Sequence, residues 1–464
     1  MRAQRRALWS ESARHACDPL GRERTADVVM AVELPGSRAG HCSARTTVPP
    51  AATRVHEVVF HLRPRPDGGG LGWVNLAALL PPARRRVLTW TEYAARYGAA
   101  SKDIAIVRGF AAASNLSITI EDPQRRRIAV RGTTQALERA FGIELHLHGD
   151  DATAHLSHDG ALWVPPAVRA VTQSVLGVDG CTRLRWSPPT AMPSAGDNAG
   201  ERADASVARS LLGVPAGVEG LDCHVAVAHL GAVAEQDPDL RDLVSAIDDI
   251  APKARVTLHQ GNPAVADMVD AVLDALTVEP PPSVLVLGWG APEAEWSGAA
   301  IRTLEHIFFS AAAMGIAVVA ACPGDGQPWF PASSPHVVAC SAADRRQANS
   351  QPAISTVFPA TSWQEMSLNP GPVAGRTTPD LVAPLVAQAG RSAVDGSAQL
   401  VAAGRIAGVI AAVAAATTTS RPGLVTPMLA RSTSLRGGTS PTVASPPLFD
   451  SLMIAMTGAA HGGR

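Results

Sequence analysis

Val284-Leu285-Val286-Leu287-Gly288-Trp289-Gly290-Ala291-Pro292-Glu293 is the stretch whose reading decides the fold. Its first four residues are uniformly apolar, as in a strand buried on both faces, and the glycines and proline that follow end it. A helix expected over 298–313, a second apolar strand over 316–321 and the turn Phe330-Pro331-Ala332-Ser333-Ser334-Pro335 complete the unit. Outward from it, strands are expected over 223–230, 255–259 and 283–287, with helices over 239–250 and 264–276. Continuous apolar strands separated by helices predict an α/β, doubly wound parallel sheet across residues 206–420. Active sites in such sheets lie past the carboxyl ends of the strands, where Trp289, Glu293 and Asp325 fall.

A second unit precedes this one, over residues 55–185. The alternation over 55–62 reads as a strand, and Thr89 with Glu92 three residues on forms a capping-box pattern that starts a helix. A further helix is expected from Ser101, with Ile104, Val107 and Ala111 on one face. Residues 117–121 and 127–131 read as a hairpin around Asp122-Pro123, and 134–141 as the next helix. Residues 186–205 are rich in Pro, Ser, Ala and Gly, as in a linker. Residues 1–54 lack sustained periodicity and are expected to be disordered; residues 421–464 are expected to be weakly structured.

Composition excludes several function classes. Lys plus Arg number 40 against 41 Asp plus Glu, so no global field favours nucleic acid or an anionic membrane. Arg84-Arg85-Arg86 and Arg125-Arg126-Arg127 are expected on solvated turns. The six cysteines lack metal-type spacing and sit mostly in apolar runs, against a disulfide framework. His146, His148, His155 and His158 have a spacing compatible with a metal but match no closed ligand set, so no metal is expected. No apolar run follows the basic residues near the amino terminus, which makes cytoplasmic retention the default expectation. The apolar run 400–415 is short for a membrane span and contains Arg405, so a buried helix is expected there.

The 284–335 stretch resembles the catalytic domain of the sedolisin (serine-carboxyl) peptidases, the kumamolisin-like branch in particular, whose domain has a subtilisin-like fold. Leu212-Gly213-Val214-Pro215, Ala251-Pro252-Lys253-Ala254, Ser355-Thr356-Val357-Phe358-Pro359 with Trp363-Gln364, and Gly375-Arg376 with Pro379-Asp380 resemble further landmarks of that domain. Leu88-Thr89, Tyr93, Tyr97-Gly98, Ile128-Ala129-Val130-Arg131-Gly132-Thr133, Ala140-Phe141-Gly142-Ile143, Val164-Pro165-Pro166 and Val175-Leu176-Gly177-Val178 are similar to motifs of the family's activation propeptide. The resemblance implies an α+β, ferredoxin-like propeptide domain that folds first, blocks the cleft and is removed by cleavage in the linker.

It also implies four catalytic side chains: a serine nucleophile, a glutamate that takes its proton, an aspartate that tunes the glutamate and a second aspartate that stabilises the oxyanion. Counted back from Pro252, Leu243 stands where the tuning aspartate belongs and Asp239 where the glutamate belongs. A one-residue slip would use Asp242 but place Pro238 at the base position. Counted back from Ala407-Gly408, Leu400 stands where the serine belongs, at the start of a helix. Ser397, in Asp395-Gly396-Ser397-Ala398, is the nearby serine with a glycine before it, expected on the preceding turn. Three helical residues amount to about 300° and about 4.5 Å, so the two positions are not equivalent. Within Cys322-Pro323-Gly324-Asp325-Gly326, Asp325 is the oxyanion acid if one residue is inserted, and Gly324 replaces it if none is.

The family's calcium motif is acidic and glycine-rich, whereas residues 421–464 carry Asp450 as their sole acid, so neither that site nor another cofactor is expected. The reading is a peptidase homologue that has lost turnover and binds a peptide or protein partner. The alternative is an acid endopeptidase using Ser397, Asp325 and Asp239.

Overall fold

The computed structural model describes residues 31–38, 40, 47–69, 73–74, 86–148, 155–178, 180, 182, 184–185, 205–231, 237–323, 326–344, 353–358, 375–385, 396–417 and 448–457. The amino-terminal half runs β1 (Val32–Glu33), β2 (Thr47–Val48), β3 (Val55–Leu62), α1 (Trp90–Tyr97), α2 (Ser101–Ala113), β4 (Ser117–Asp122), β5 (Arg127–Thr133), α3 (Thr134–Phe141), β6 (Leu145–His148), β7 (His155–His158), β8 (Trp163–Val164), α4 (Pro166–Val171) and β9 (Thr172–Leu176). Strands β4-β5-β3-β9 form an antiparallel sheet in that order, the ferredoxin-like βαββαβ arrangement. The capping box is present: Thr89 N–H donates to Glu92 and Glu92 N–H donates to the Thr89 hydroxyl. Gly142 closes α3 in the left-handed region at φ 63°, where a side chain would be strained.

Alternate residues of β3 serve two cores. Val58, Phe60 and Leu62 pack with Val107, Leu137 and Phe141 under α2 and α3. Val59, with Ala129 and Leu176, faces the opposite way and joins the core of the second half. A strand with both faces covered needs apolar residues at both parities, which is the pattern of this segment.

The second half runs α5 (Ala205–Leu212), β10 (His224–Leu230), α6 (Pro238–Ile250), β11 (Arg255–Gly261), α7 (Val265–Leu276), β12 (Val284–Leu287), β13 (Ala291–Pro292), α8 (Gly298–Ala313), β14 (Ala317–Ala321), β15 (Trp329–Phe330), β16 (Val338–Asp344), β17 (Ala353–Ile354), β18 (Thr377–Thr378), β19 (Leu381–Leu385), α9 (Gly396–Ala416) and α10 (Leu448–Thr457). Six strands form a wholly parallel sheet in the order β11-β10-β12-β14-β16-β19. Helix α9 crosses β10, β12, β14, β16 and β19 beside α6. Helices α7 and α8 cover the other face and receive the antiparallel sheet.

That junction corrects the reading of Arg125-Arg126-Arg127 as a solvated turn. Arg125 pairs with Asp274 at 2.6 Å, Arg127 pairs with Asp270, and Arg126 is buried. The acids lie on α7, some 145 residues away in sequence, where no local pattern reveals them. Tyr93 bonds Ser310 at 2.6 Å, Ser174 bonds Thr303 at 2.5 Å, and Leu88 N–H donates to Ala313 O at 2.9 Å across the same junction.

Two further expectations change. Within residues 1–54, β1 pairs with β8, β2 pairs with β6, and Leu34 is fully buried, because strand edges elsewhere supply partners that two-residue strands cannot signal by periodicity. Within 421–464, α10 packs Phe449 and Leu452 into the main core. The helix expected to be buried around 400–415 is α9, 21 residues long and so of membrane-spanning length; its residues fill the interior of the second half, with Leu400, Ala403, Ile406, Val409 and Ile410 fully buried. Close approach to α6 requires glycine at two points. A Cβ on Gly404 would lie 2.6 Å from Leu243 O, and one on Gly408 would lie 2.7 Å from the Ile250 Cβ.

Candidate functional site

The carboxyl end of β12 leads into Gly288-Trp289-Gly290 and then β13, which pairs antiparallel with β15. Here the chain that leaves the antiparallel half runs alongside. Arg185 N–H donates to Gly290 O at 3.1 Å and Gly290 N–H donates to Arg185 O at 3.0 Å, a closed antiparallel bridge. Glycine suits this position, since a Cβ would sit 2.9 Å from Phe330 O. The Arg185 guanidinium donates to Glu295 at 3.1 and 3.4 Å and stands 4.9 Å over the Trp329 ring. Thr182 adds a bond to Glu295 O at 2.8 Å.

Behind this rim the Glu293 carboxylate is buried and matched. Glu293, 3% exposed, accepts from the Ser355 hydroxyl at 2.6 Å, from Thr356 N–H at 3.0 Å and from the Thr356 hydroxyl at 3.2 Å. The Ser355 oxygen in turn accepts from Val357 N–H and Phe358 N–H, so its lone pairs are committed to the turn. Trp289 and Trp296 are both core residues; Trp296 donates to Ala291 O and meets Phe330 edge-on at 4.9 Å.

A second polar group supports the Phe330–Ser334 turn. Arg376, fully buried, pairs with Asp380 at 2.7 and 2.9 Å and donates to Ser334 O and Val337 O. Burial pushes the Glu305 carboxyl up to about 7, against a hydrogen bond from Ser334 and the charge of Arg376. Burial, with Arg376 second, pulls His336 down to about 4, and its ring stacks on Phe309 at 4.6 Å. Arg376 and Asp380 were legible as landmarks. Glu305 and His336 carry no spacing signal, because α8 and the loop after β15 bring them together.

The seam between α6 and α9 is where the family's chemistry is expected, and it is apolar. Leu243 and Leu400 are both fully buried, and the Leu243 Cδ1 lies 3.3 Å from the Cβ position of Gly404, one turn beyond Leu400. Asp237 caps α6, accepting from Asp239 N–H at 3.0 Å and Leu240 N–H at 3.2 Å; Asp239 and Asp242 are half-buried on its first turns. Gln399, next to Leu400, accepts from the Ser341 hydroxyl at 3.0 Å and Ala342 N–H at 2.7 Å. Helix α9 begins at Gly396, so Ser397 lies inside its first turn instead of on a preceding one. Ser, Ala and Gln at 397–399 all tolerate a helix, which lets it start a turn early. Asp325 and the Ser397 side chain lie outside the described residues.

Of the histidines at 146–158, His158 bonds Val178 O and Ser37 O through its two ring nitrogens, both at 2.8 Å, which is a structural role. Among the described residues the thiols of Cys223, Cys322 and Cys340 are buried.

The fold and the rim define a class: a parallel α/β core with an antiparallel domain docked on one face, whose exit strand pairs with the lip at the carboxyl end of the sheet. Residues 78–181 match the Pro-kumamolisin activation domain. Kumamolisin from Bacillus sp. (strain MN-32) is 28% identical over 388 residues, covering 66% of this chain and 70% of kumamolisin. A Pseudomonas sedolisin, a serine-carboxyl proteinase complexed with two molecules of pseudo-iodotyrostatin, aligns with a TM-score of 0.41 at 15% identity, over 52% of this chain and 87% of that one. An epidermin leader peptide processing serine protease from Staphylococcus aureus aligns with a TM-score of 0.43 at 10% identity, over 86% and 98%. By these likenesses the chain is similar to the kumamolisin-like proteins of the sedolisin family.

Proposed function

We propose that this protein is a peptidase homologue without turnover, in which the activation domain stays docked and the rim at Gly290 holds extended peptide. The observation that carries the reading is the burial of Leu243 and Leu400 in the α6–α9 seam, at the positions where the family resemblance requires an acid and a nucleophile. A catalytic unit that loses one member loses most of its rate, and here two positions are apolar. Support for peptide binding comes from the Arg185–Gly290 bridge, since backbone pairing of this kind accepts an extended chain of many sequences. The occupant in this chain is its own Arg185, and a peptide or protein partner of extended conformation would take its place. No cofactor enters this reading.

The test is self-processing. The purified chain is held between pH 3 and 5, roughly the carboxylate titration range, and followed by intact mass over time. One species is expected throughout. Cleavage within residues 181–205 that disappears in Ser397→Ala overturns the reading in favour of an acid serine endopeptidase with rearranged residues.

A further inference from the structure

The junction between the two halves contains a buried cation that no carboxylate meets among the described residues. Of the three consecutive arginines at the β4–β5 turn, Arg125 has Asp274 and Asp122 beside it and Arg127 has Asp270. Arg126 lies between them, 7% exposed, and its partners are neutral: Leu62 O at 3.2 Å, Gln173 Oε1 at 3.3 Å and the Tyr93 hydroxyl. The Tyr93 hydroxyl passes the polarity on, donating to Ser310, whose hydroxyl donates to His306 O. Every bond in this chain points away from the guanidinium, so the chain relays positive potential and supplies no counter-charge. Burial is the first cause that lowers His61 to about 3 and His306 well below its ordinary value, and Arg126 adds to both. The two histidines are therefore uncharged across the ordinary pH range.

Beside Arg126 is a small cavity. Tyr93, Gln124 and Arg126 line it from the activation domain, and Leu273, Ile307 and Ser310 line it from α7 and α8. It leaves about 10 Å³ for the centre of a water-sized particle, enough for one water or one small monatomic ion. None of its described lining residues is acidic. A buried guanidinium with neutral acceptors and no carboxylate is an expensive arrangement unless something of opposite charge sits against it.

We propose that this cavity binds one small monovalent anion of chloride's size, held by Arg126 between the activation sheet and helices α7 and α8. The ion compensates the one arginine of the three that the acids leave unmatched, and it contacts both halves. Its binding therefore stabilises the docked state and no other, by mass action. Arginine suits the role because its charge persists when buried and its fork offers several donors to one acceptor.

The experiment uses the full chain in two ways. Crystals soaked in sodium bromide should show an anomalous peak in this cavity, in contact with the Arg126 guanidinium. In solution, melting in sodium chloride should exceed melting in sodium gluconate at equal ionic strength by about 2 °C and saturate with concentration, gluconate being too large to enter. Arg126→Met should abolish that difference. A bromide soak without the peak overturns the proposal, as do coincident chloride and gluconate curves, or an Arg126→Met protein that retains the chloride effect. Should Arg126→Met not fold, the bromide peak in the unsubstituted protein decides.

Discussion

Two regions near the carboxyl ends of the same parallel strands are built in opposite ways. At the rim, Glu293, Ser355, Glu295, Arg185 and Arg376 form polar contacts that leave the buried carboxylate at Glu293 fully met. At the α6–α9 seam, Leu243 and Leu400 are buried like any core side chain, and Gly404 and Gly408 draw the helices together. The difference teaches that one parallel sheet can carry both a polar, hydrogen-bonded rim and an apolar helix seam. The first resides in backbone and turn residues, the second in a few side chains on two helices.

The harshest test of that contrast is Leu243→Asp. In a seam that is ordinary core, an unpaired buried carboxylate should cost on the order of 4 kcal/mol of unfolding free energy at neutral pH, read by urea denaturation. A loss close to zero would mean that the seam still has a partner for an acid, and the contrast breaks. Next comes pH. Glu305 titrates at about 7 in the folded protein, above its ordinary value of 4.5, so the native state holds a proton that the unfolded chain has released. Its contribution is fully present below about 4.5 and is lost as pH rises through 7. His336 runs the other way: with its folded value near 4, its contribution is present above 6.5 and is lost as pH falls through 4. The two slopes offset each other in the parent between roughly pH 4.5 and 6.5. Glu305→Gln should uncover the histidine's slope, gaining on the parent between pH 4.5 and 8 by on the order of 3 kcal/mol. A stability difference that is flat across this range would remove Glu305 from the rim's support. The smallest effect sharpens the rim itself. Arg185→Ala removes a partly buried ion pair and a cation–π contact, together about 1 kcal/mol. The Gly290 amide, which donates to Arg185 O, should then exchange its hydrogen about fivefold faster. Unchanged exchange would mean that the backbone bridge does not depend on the side chain.

Much of the fold was legible residue by residue. The helix expected over 298–313 is Gly298–Ala313, and the strands around it fall within two residues of their expected ends, because uniformly apolar strands and capped helices announce themselves locally. The candidate site was legible in outline only. Counting residues identified Leu243 and Leu400, but Glu305, His336 and the pairing of Arg185 with Gly290 join segments far apart in sequence. Ser397 illustrates the limit from the other side. Its neighbours permit a helix as readily as a turn, and the packing of α9 along α6 and the sheet accompanies the helical choice.

By itself, the sequence determined the alternation of apolar strands and helices, the family resemblance and the leucines at the two seam positions, since each depends on residue type and spacing along the chain. Tertiary structure alone decided which charges are met. Arg125 and Arg127 find acids on α7 while Arg126, between them, finds none among the described residues. The three are identical in sequence terms, and what separates them is the direction each side chain takes from a turn whose middle arginine has φ 57° and points inward. Electrostatic energy depends on distance through space and on burial, neither of which is a property of position along the chain.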